Sequence, residues 1–352
     1  MANYILYCRA GFEKDLAGEI QAVAAEKQIF GYCKLNANQG FVEFNATEHE
    51  PGLLFKQIKL DSLIFCRQWF RVLEVLNDLA EGDRITPIVE ALQGETFSDL
   101  TIDYPDTNEG KEVTKFAKKF HLPLSKALEK KRILQRNAKR TLHLFIQSSD
   151  TITLGVSVKS NASPHHLGIH RLRFPKDAPS RSTLKLEEAF LHFVPADERE
   201  TRLMPGMNAV DLGACPGGWT YQLVKLGMFV AAIDNGTMNE DLMETGQVKH
   251  FMEDGFVYRP KKQNVYWLVC DMVEKPTKVA RLMANWLARG DCQEAIFNLK
   301  LPMKQRYQSV QDSFAVIRDI LADYDIRYTL QGKHLYHDRE EITVHLRTIA
   351  RY

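Results

Sequence analysis

The sequence predicts an α/β protein in two parts, and the C-terminal part is predicted to contain a doubly wound, mostly parallel β-sheet. From residue 182 onward, helix-like and strand-like segments alternate, as they do in repeated βαβ units. A glycine-rich turn at 213–218 follows the first strand of this part and opens a helix, which is where open parallel sheets bind ligands. The shorter mixed segments before residue 165 predict smaller α+β domains.

The N-terminal part is predicted to contain two domains, 1–78 and 79–165. Both mix amphipathic helices with short alternating strands, and Phe12, Leu16 and Ile20 share one face of the first helix. The predicted strands lie at 2–8, 40–44, 62–75 (one or two strands), 141–147 and 151–158, and the predicted helices lie at 12–25, 53–58, 111–120 and 124–139.

Charge is distributed unevenly along the chain. Residues 1–110 carry 9 Lys/Arg and 18 Asp/Glu, residues 111–185 carry 17 and 4, and residues 186–352 carry 20 and 23. Because the basic excess persists over 75 residues, it favours a polyanion-binding surface over an ordinary solvated helix face. Nine of these cations lie along 115–139: Lys115, Lys118, Lys119, Lys126, Lys130, Lys131, Arg132, Arg136 and Lys139.

Residues 166–181 are predicted to be a linker, because Pro175 and Pro179 interrupt regular structure there. The linker and its edge hold a histidine cluster without a carboxylate or cysteine at ligand spacing, so no metal site is predicted. The C-terminal domain is predicted to cover 182–352. Its predicted helices lie at 182–193, 217–226, 276–288 and 307–324, and its strands at 208–212, 228–234, 248–252, 265–270, 294–299, 326–330 and 342–349.

Composition excludes several classes of protein. No apolar run approaches the 18 residues of a membrane span. The first residues lack the basic start and long apolar stretch of a secretory signal. The six cysteines form no C-x-x-C pair, which argues against a zinc ribbon and a disulfide framework. We therefore expect a cytoplasmic protein that does not associate with membranes.

The segment Asp211–Trp219 reads Asp-Leu-Gly-Ala-Cys-Pro-Gly-Gly-Trp and carries the clearest chemical signal. Its glycines let the backbone approach a ligand closely, and the helix that follows offers free N–H groups. The spacing differs from the G-x-G-x-x-G fingerprint and therefore argues against a nicotinamide dinucleotide. The residues predicted to bind a cofactor here are Ser182, Asp211, Gly213, Cys215, Pro216, Gly217, Gly218 and Trp219.

Three further carboxylates follow predicted strands of this domain. Asp234 ends the second strand, where a carboxylate can accept both ribose hydroxyls of a nucleoside. Asp254 follows the third strand and is placed to meet an adenine edge, and Asp271 ends the fourth strand. One such aspartate often only caps a turn, but three in phase with strand ends indicate a bound nucleoside group.

The motif closely resembles the cofactor loop of the FtsJ-type ribose 2′-O-methyltransferases. The resemblance implies a Rossmann-like catalytic domain, S-adenosylmethionine as methyl donor, no metal, and a Lys-Asp-Lys-Glu tetrad. Ser-Arg-Ser-Thr-Leu-Lys-Leu at 180–186 gives Lys185, and Cys-Asp-Met at 270–272 gives Asp271 beneath the sulfonium. Asn-Leu-Lys-Leu at 298–301 gives Lys300. Asp-Arg-Glu-Glu-Ile-Thr-Val at 338–344 gives Glu341, with Glu340 as the alternative.

The full-length layout is more specifically similar to the large-subunit rRNA ribose methyltransferase M family. That similarity implies ferredoxin-like and THUMP-type RNA-binding domains before residue 165. It also implies a cytidine in the peptidyl-transferase region of 23S rRNA as acceptor. Two departures from the broader family, Cys215 and the segment Val-Glu-Lys-Pro at 273–276, affect the acceptor pocket and leave the tetrad intact. We expect a monomer with no obligate protein partner.

The tetrad suits a reaction in which a ribose hydroxyl loses its proton. A free lysine has a pKa near ~10.4 and is mostly protonated at neutral pH. A second ammonium or the sulfonium should lower that pKa. We therefore expect Lys300 to be the general base, with Lys185 lowering its pKa and orienting the hydroxyl. Asp271 and Glu341 should hold both lysines and balance their charge.

Other functions fit the sequence less well. Methylation of an exocyclic base nitrogen usually needs an Asn/Asp-Pro-Pro-aromatic segment after the fourth strand, where this chain has Cys-Asp-Met-Val. Cytosine C5 methylation needs a nucleophilic cysteine in a Pro-Cys pair, which the chain lacks. A catalytically silent RNA-binding protein, and a 2′-O-methyltransferase of tRNA or mRNA caps, remain as alternatives.

Overall fold

The computed structural model describes residues 2–105, 113–148 and 150–349. The chain divides into two compact units, Met1–His170 and Arg171–Tyr352. Each unit contains one seven-stranded β-sheet. No helix in the described ranges is long and apolar enough to cross a membrane.

The first unit contains seven strands and four helices among its described residues. They are β1 (Ala2–Tyr7), α1 (Glu13–Glu26), β2 (Phe30–Lys34), β3 (Phe41–Thr47), α2 (Leu53–Gln57), β4 (Gln68–Leu76), α3 (Ile85–Ala91), β5 (Asp99–Asp103), α4 (Thr114–Lys130), β6 (Arg140–Ile146) and β7 (Ile152–Val158). The strand order is β2-β3-β1-β4-β7-β6-β5, and only β5 and β6 run parallel.

The two predicted N-terminal domains share this sheet. β4 lies in the first of them and pairs antiparallel with β7 of the second, with Arg71 opposite Val156. The predicted strands at 141–147 and 151–158 are confirmed as β6 and β7, which pair antiparallel with Ile146 opposite Ile152. Ser149 between them lies outside the described residues. Division of this unit near residue 78 stays a prediction, since the sheet runs through both parts.

The prediction of two basic helices, at 111–120 and 124–139, is wrong. One helix, α4, covers Thr114–Lys130 and includes Pro123, whereas 131–139 is not helical and 111–112 lie outside the described residues. The apolar side chains of α4 pack into the core on both sides of the proline, and their burial offsets the cost of about 3 kcal/mol that an interior proline brings. The helix ends where Arg132 adopts φ +59° and the Ile133 N–H donates to the Leu128 carbonyl.

The second unit confirms the predicted doubly wound sheet. Its elements are α5 (Thr183–Phe193), α6 (Arg199–Arg202), β8 (Asn208–Leu212), α7 (Gly218–Lys225), β9 (Phe229–Ile233), α8 (Glu240–Glu244), β10 (Val248–Phe251), β11 (Val265–Cys270), α9 (Pro276–Ala288), β12 (Cys292–Lys300), α10 (Arg306–Asp323), β13 (Tyr328–Lys333) and β14 (Glu341–Thr348). The order is β10-β9-β8-β11-β12-β14-β13. The first five strands are parallel, and β14 and β13 complete the sheet antiparallel to their neighbours.

The parallel strands are buried and therefore read as apolar runs in the sequence. Trp267 and Ile296 on β11 and β12 are 0% exposed and pack in one cluster with Phe190 of α5. The carboxyl ends of β8, β9, β11 and β12 lie at one edge of the sheet, which is where ligands bind in this kind of fold.

Candidate active site

The glycine turn at 213–218 connects β8 to α7 at this edge. Gly213 and Gly217 have φ values of +77° and +115°, which strongly favour glycine. A Cβ atom at Gly213 would lie 2.5 Å from Met272 Cγ, so the turn packs against the residue after Asp271. The predicted turn therefore lies next to the end of β11.

Two of the predicted cofactor aspartates form hydrogen bonds at this turn. Asp234 bonds to the backbone of the turn, and Asp211 bonds to the helix that follows it. Asp234 accepts the Cys215 N–H at 3.0 Å and the Gly236 N–H at 2.7 Å. Asp211 is 1% exposed and accepts the Thr220 hydroxyl at 2.7 Å. Burial raises the pKa of Asp211 to about 7, although the Thr220 hydrogen bond opposes that rise.

The remaining predicted cofactor residues differ in accessibility. Trp219 is 2% exposed, packs in the core beneath the turn, and has no partner for its indole N–H among the described residues. Burial raises the pKa of the half-buried Cys215 thiol to about 11, which fits a lining residue and not a nucleophile. Asp254 is exposed, and its carboxylate accepts the Phe256 N–H at 2.8 Å.

Helix α5 packs against α7 and so positions Lys185. Gln222 of α7 donates to the Thr183 hydroxyl at 2.9 Å, and a Cβ at Gly218 would lie 2.1 Å from Ser182 Oγ. Because α5 approaches the turn this closely, Lys185, less than one helical turn beyond Ser182, is held at the edge of the sheet.

The four residues of the predicted tetrad are in mutual contact. Lys300 Nζ lies 2.5 Å from Asp271 Oδ1 and 2.7 Å from Glu341 Oε2. Lys185 Nζ lies 3.2 Å from Asp271 Oδ2 and 2.5 Å from Glu341 Oε1. Each carboxylate thus bridges both ammonium groups. The four side chains are only 9–19% exposed, so the cluster is partly shielded yet reachable.

Strand register decides which glutamate joins this cluster. Lys300 is the last residue of β12 and lies directly opposite Glu341, the first residue of β14. Cross-strand neighbours have their side chains on the same face of the sheet. Glu340 instead contacts Arg306 at 2.7 Å, and its side chain is 55% exposed.

The electrostatics of Lys300 differ from the sequence-based expectation. Burial lowers the pKa of Lys300, but the Asp271 and Glu341 carboxylates outweigh burial, so the pKa is raised above its usual value. For Glu341, burial raises the pKa of the carboxyl group, but the charges of Lys185 and Lys300 outweigh burial and lower the pKa overall. For these side chains alone the pKa of Lys300 is therefore not lowered as expected, because two carboxylates contact its ammonium group. The lowering effect of Lys185 stays a prediction.

Three polar residues behind the tetrad had no role in the sequence-based prediction. Asn298 donates to Asp271 Oδ1 at 2.9 Å, and Thr343 lies 2.8 Å from Asn298 Oδ1 and 3.0 Å from Asp338. Asn298 precedes Lys300 by two residues and Thr343 follows Glu341 by two, so strand periodicity places them on the same face as the tetrad. That periodicity is the signal that could have revealed Asn298 and Thr343.

The described residues contain no group of three or more His, Cys, Asp or Glu that could hold a metal ion.

Comparison with known proteins places the chain in a family. Three family models match successive segments: "RlmM ferredoxin-like domain" at 1–70, "Ribosomal RNA large subunit methyltransferase M, N-terminal" at 83–158, and "FtsJ-like methyltransferase" at 178–292. A protein named ribosomal RNA large subunit methyltransferase M from Shewanella loihica is 54% identical over 98% of this chain and 97% of its own length. The chain belongs to the ribosomal RNA large subunit methyltransferase M family.

A second member of the methyltransferase M family, from Tolumonas auensis, is 54% identical over 98% of this chain and 96% of its own length. The FtsJ-type and methyltransferase M resemblances and the ferredoxin-like prediction for the first domain are thereby confirmed. The crystal structure of TrmN from Thermus thermophilus aligns with 99% of this chain and 100% of that chain at 12% identity. Its TM-score of 0.36 is too low to support a conclusion.

Proposed function

We propose that this chain transfers a methyl group from S-adenosylmethionine to a ribose 2′-hydroxyl of large-subunit ribosomal RNA. The observation that carries the proposal is the contact of two lysines with two carboxylates beside a glycine turn. Membership of the methyltransferase M family supports ribosomal RNA as the acceptor. The finer assignment, to a cytidine in the peptidyl-transferase region of 23S rRNA, follows the family resemblance.

The residues at the sheet edge fit the methyl donor. A carboxylate offers about four lone-pair sites, so Asp234 can accept two ribose hydroxyls while keeping the Cys215 and Gly236 N–H groups. Asp254 would meet the adenine edge, and the 213–218 backbone would contact the amino-acid end. Ser182, Asp211, Pro216 and Trp219 would line or support the same site. When bound, the donor supplies an electrophilic methyl group and one positive charge.

Lys300 acts as general base in this proposal. As the neutral amine, its Nζ would take the proton of the ribose hydroxyl, and the bound donor would supply the methyl group to the oxygen. Asp271 and Glu341 hold Nζ at a fixed point, and Lys185 orients the hydroxyl. An added positive charge beside Lys300 disfavours its ammonium form and opposes the raised pKa.

Helix α4 and the residues that follow it are proposed to bind the RNA backbone, within a THUMP-type domain of the first unit. Their nine cations, defined above as Lys115 to Lys139, are all exposed, and none forms an ion pair with another described residue. Unpaired surface cations can displace counterions from phosphates. We also propose that the protein is a monomer and acts in the cytoplasm.

The charge of this surface is tested by salt titration of RNA binding. Replacing Lys118, Lys119 and Lys126 by glutamine should weaken binding and reduce the slope of log K against log salt by about one per lysine. The matched control replaces Lys27 and Lys34, which are exposed elsewhere in the same unit. An unchanged slope in the triple variant would place RNA binding elsewhere.

The activity is tested with purified protein, labelled S-adenosylmethionine and 23S rRNA. We expect one methyl group per RNA, mapped by mass spectrometry of nuclease fragments to a cytidine ribose. A methyl group on a base would contradict the proposed chemistry. Methyl transfer to tRNA in place of rRNA would contradict rRNA as the acceptor. RNA binding without methyl transfer would support the alternative of a catalytically silent RNA-binding protein.

A further inference from the structure

A buried chain of polar side chains connects Asp338 to the tetrad. Asp338, Thr343 and Asn298 are each 0% exposed. Thr343 Oγ1 lies 3.0 Å from both carboxyl oxygens of Asp338 and 2.8 Å from Asn298 Oδ1. Asn298 Nδ2 in turn lies 2.9 Å from Asp271 Oδ1, the oxygen that also contacts Lys300.

Counting hydrogens fixes the direction of each bond in this chain. Asp271 can only accept, so Asn298 must present its NH₂ group to Asp271 and its oxygen to Thr343. The single hydroxyl hydrogen of Thr343 is then used on Asn298. With that hydrogen on Asn298, a protonated Asp338 carboxyl group would donate the hydrogen of its contact with Thr343.

The surroundings of Asp338 favour that protonated form. Burial raises the pKa of Asp338 well above its usual value, and the charges of Glu341 and Glu188 add to the rise. Lys185 and the Leu335 N–H, which donates to Asp338 Oδ2 at 3.0 Å, act in the opposite direction. The loop next to Asp338 also holds His337, which is bonded to Glu188 at 2.7 Å.

We propose that Asp338 is a positioning residue that, through Thr343 and Asn298, fixes the Asp271 carboxylate between the two lysines. The inference rests on the proposed function, since it concerns the geometry of the same tetrad. With Asn298 bound to Oδ1, Asp271 keeps Oδ1 toward Lys300 and Oδ2 toward Lys185. Without that bond the carboxylate can rotate, and Nζ of Lys300 loses its fixed place relative to the hydroxyl.

A positioning role and a purely structural role predict different kinetics. Misplacing the base by a fraction of an ångström lowers kcat and leaves the KM for RNA unchanged, because Asp338 lies behind the tetrad and is fully buried. A purely structural role would lower the melting temperature and leave the kcat of the folded protein unchanged.

The experiment uses the full chain with three substitutions, and measures kcat, the KM for RNA and the melting temperature. Thr343→Val is nearly isosteric and suits a strand, so the fold should persist. It removes the hydroxyl and should lower kcat about 10- to 100-fold, with KM within about twofold. Thr343→Ser retains the hydroxyl and should restore kcat. Asp338→Asn keeps a hydrogen donor in an uncharged group and should stay within about threefold of wild type.

The matched control is Thr348→Val on the same strand, where the hydroxyl bonds only to the Gln293 carbonyl among the described residues, and its kcat should equal that of wild type. A wild-type kcat in Thr343→Val would overturn the inference. Loss of activity in Asp338→Asn would do so as well, because it would show that an ionised carboxylate is required. Wild-type protein that methylates no RNA would instead overturn the proposed function.

Discussion

The two ends of the β12–β14 strand pair carry ionic clusters that differ in how far their side chains are exposed. At the carboxyl end of β12, the Lys185–Asp271–Lys300–Glu341 tetrad has side chains 9–19% exposed. Near the start of β12, Glu294 is 1% exposed and bonds Arg202, His345 and Tyr266 at 2.5–3.0 Å. Both clusters lie on the same pair of strands, because Lys300 is opposite Glu341 at one end and Glu294 is opposite Arg347 at the other.

The difference lies in what each cluster leaves available. Arg202 meets Glu294 with two nitrogens, at 2.9 and 2.5 Å, and Arg202 is itself 4% exposed. Arg202 also contacts Glu198 at 2.7 Å, and Arg347 Nε lies 3.4 Å from Glu294, so the buried Glu294 carboxylate is already satisfied by protein groups. The tetrad instead holds two ammonium groups that a ligand can reach. The comparison indicates that burial, not residue type, separates a structural cluster from a catalytic one.

Lys300→Ala should produce the largest loss of activity and tests whether the tetrad at the carboxyl end of β12 is catalytic. Removal of a general base lowers kcat by roughly 10²–10⁴-fold. The melting temperature should change by only a few degrees, because Lys185 still pairs with both carboxylates. Methyl transfer to rRNA and thermal unfolding are measured on the same preparation. The control is Lys278→Ala, an exposed lysine of α9, and equal activity of the two variants would remove Lys300 from the mechanism.

Arg202→Ala should show the reverse pattern. Leaving Glu294 charged and buried without Arg202, the nearer of its two guanidinium groups, should cost about 3–5 kcal/mol of unfolding free energy. The kcat of the folded protein should be unchanged, because the change lies at the opposite end of β12. Arg289→Ala removes an arginine that is 37% exposed and should cost less than about 1 kcal/mol. A loss of kcat without a loss of stability in Arg202→Ala would break the comparison.

Glu294→Gln should change the pH dependence of stability. Burial raises the pKa of Glu294, but His345 and Arg202 lower it overall to about 2. An unfolded glutamate has a pKa near ~4.3, so the ionised form stabilises the fold above that pH, and this contribution is lost as pH falls toward 2. Between these values, unfolding free energy should fall more steeply in wild type than in the variant. The exposed Glu200→Gln is the control, and equal slopes for Glu294→Gln and wild type would contradict the assignment.

Sequence-based prediction succeeded where local pattern and chemistry coincide. The glycine turn, the alternation after residue 182 and the tetrad segments all carry short-range signals, and the structure brings Lys185, Asp271, Lys300 and Glu341 together. It failed at α4, where burial of an apolar face across Pro123 overrode a local helix breaker. It also missed β2, whose alternating half-buried residues give no strong apolar pattern.

The sequence alone determined which chemical groups the chain holds and the order of the strands after residue 182, because hydrophobic periodicity and glycine turns are local properties. Only the tertiary structure decided that Glu341 joins the lysines while Glu340 contacts Arg306, and that Asp338 reaches Asp271 through Thr343 and Asn298. Those outcomes depend on the register between β12 and β14 and on how far each side chain is buried. Both are set by packing between residues distant in the chain, which no local pattern records.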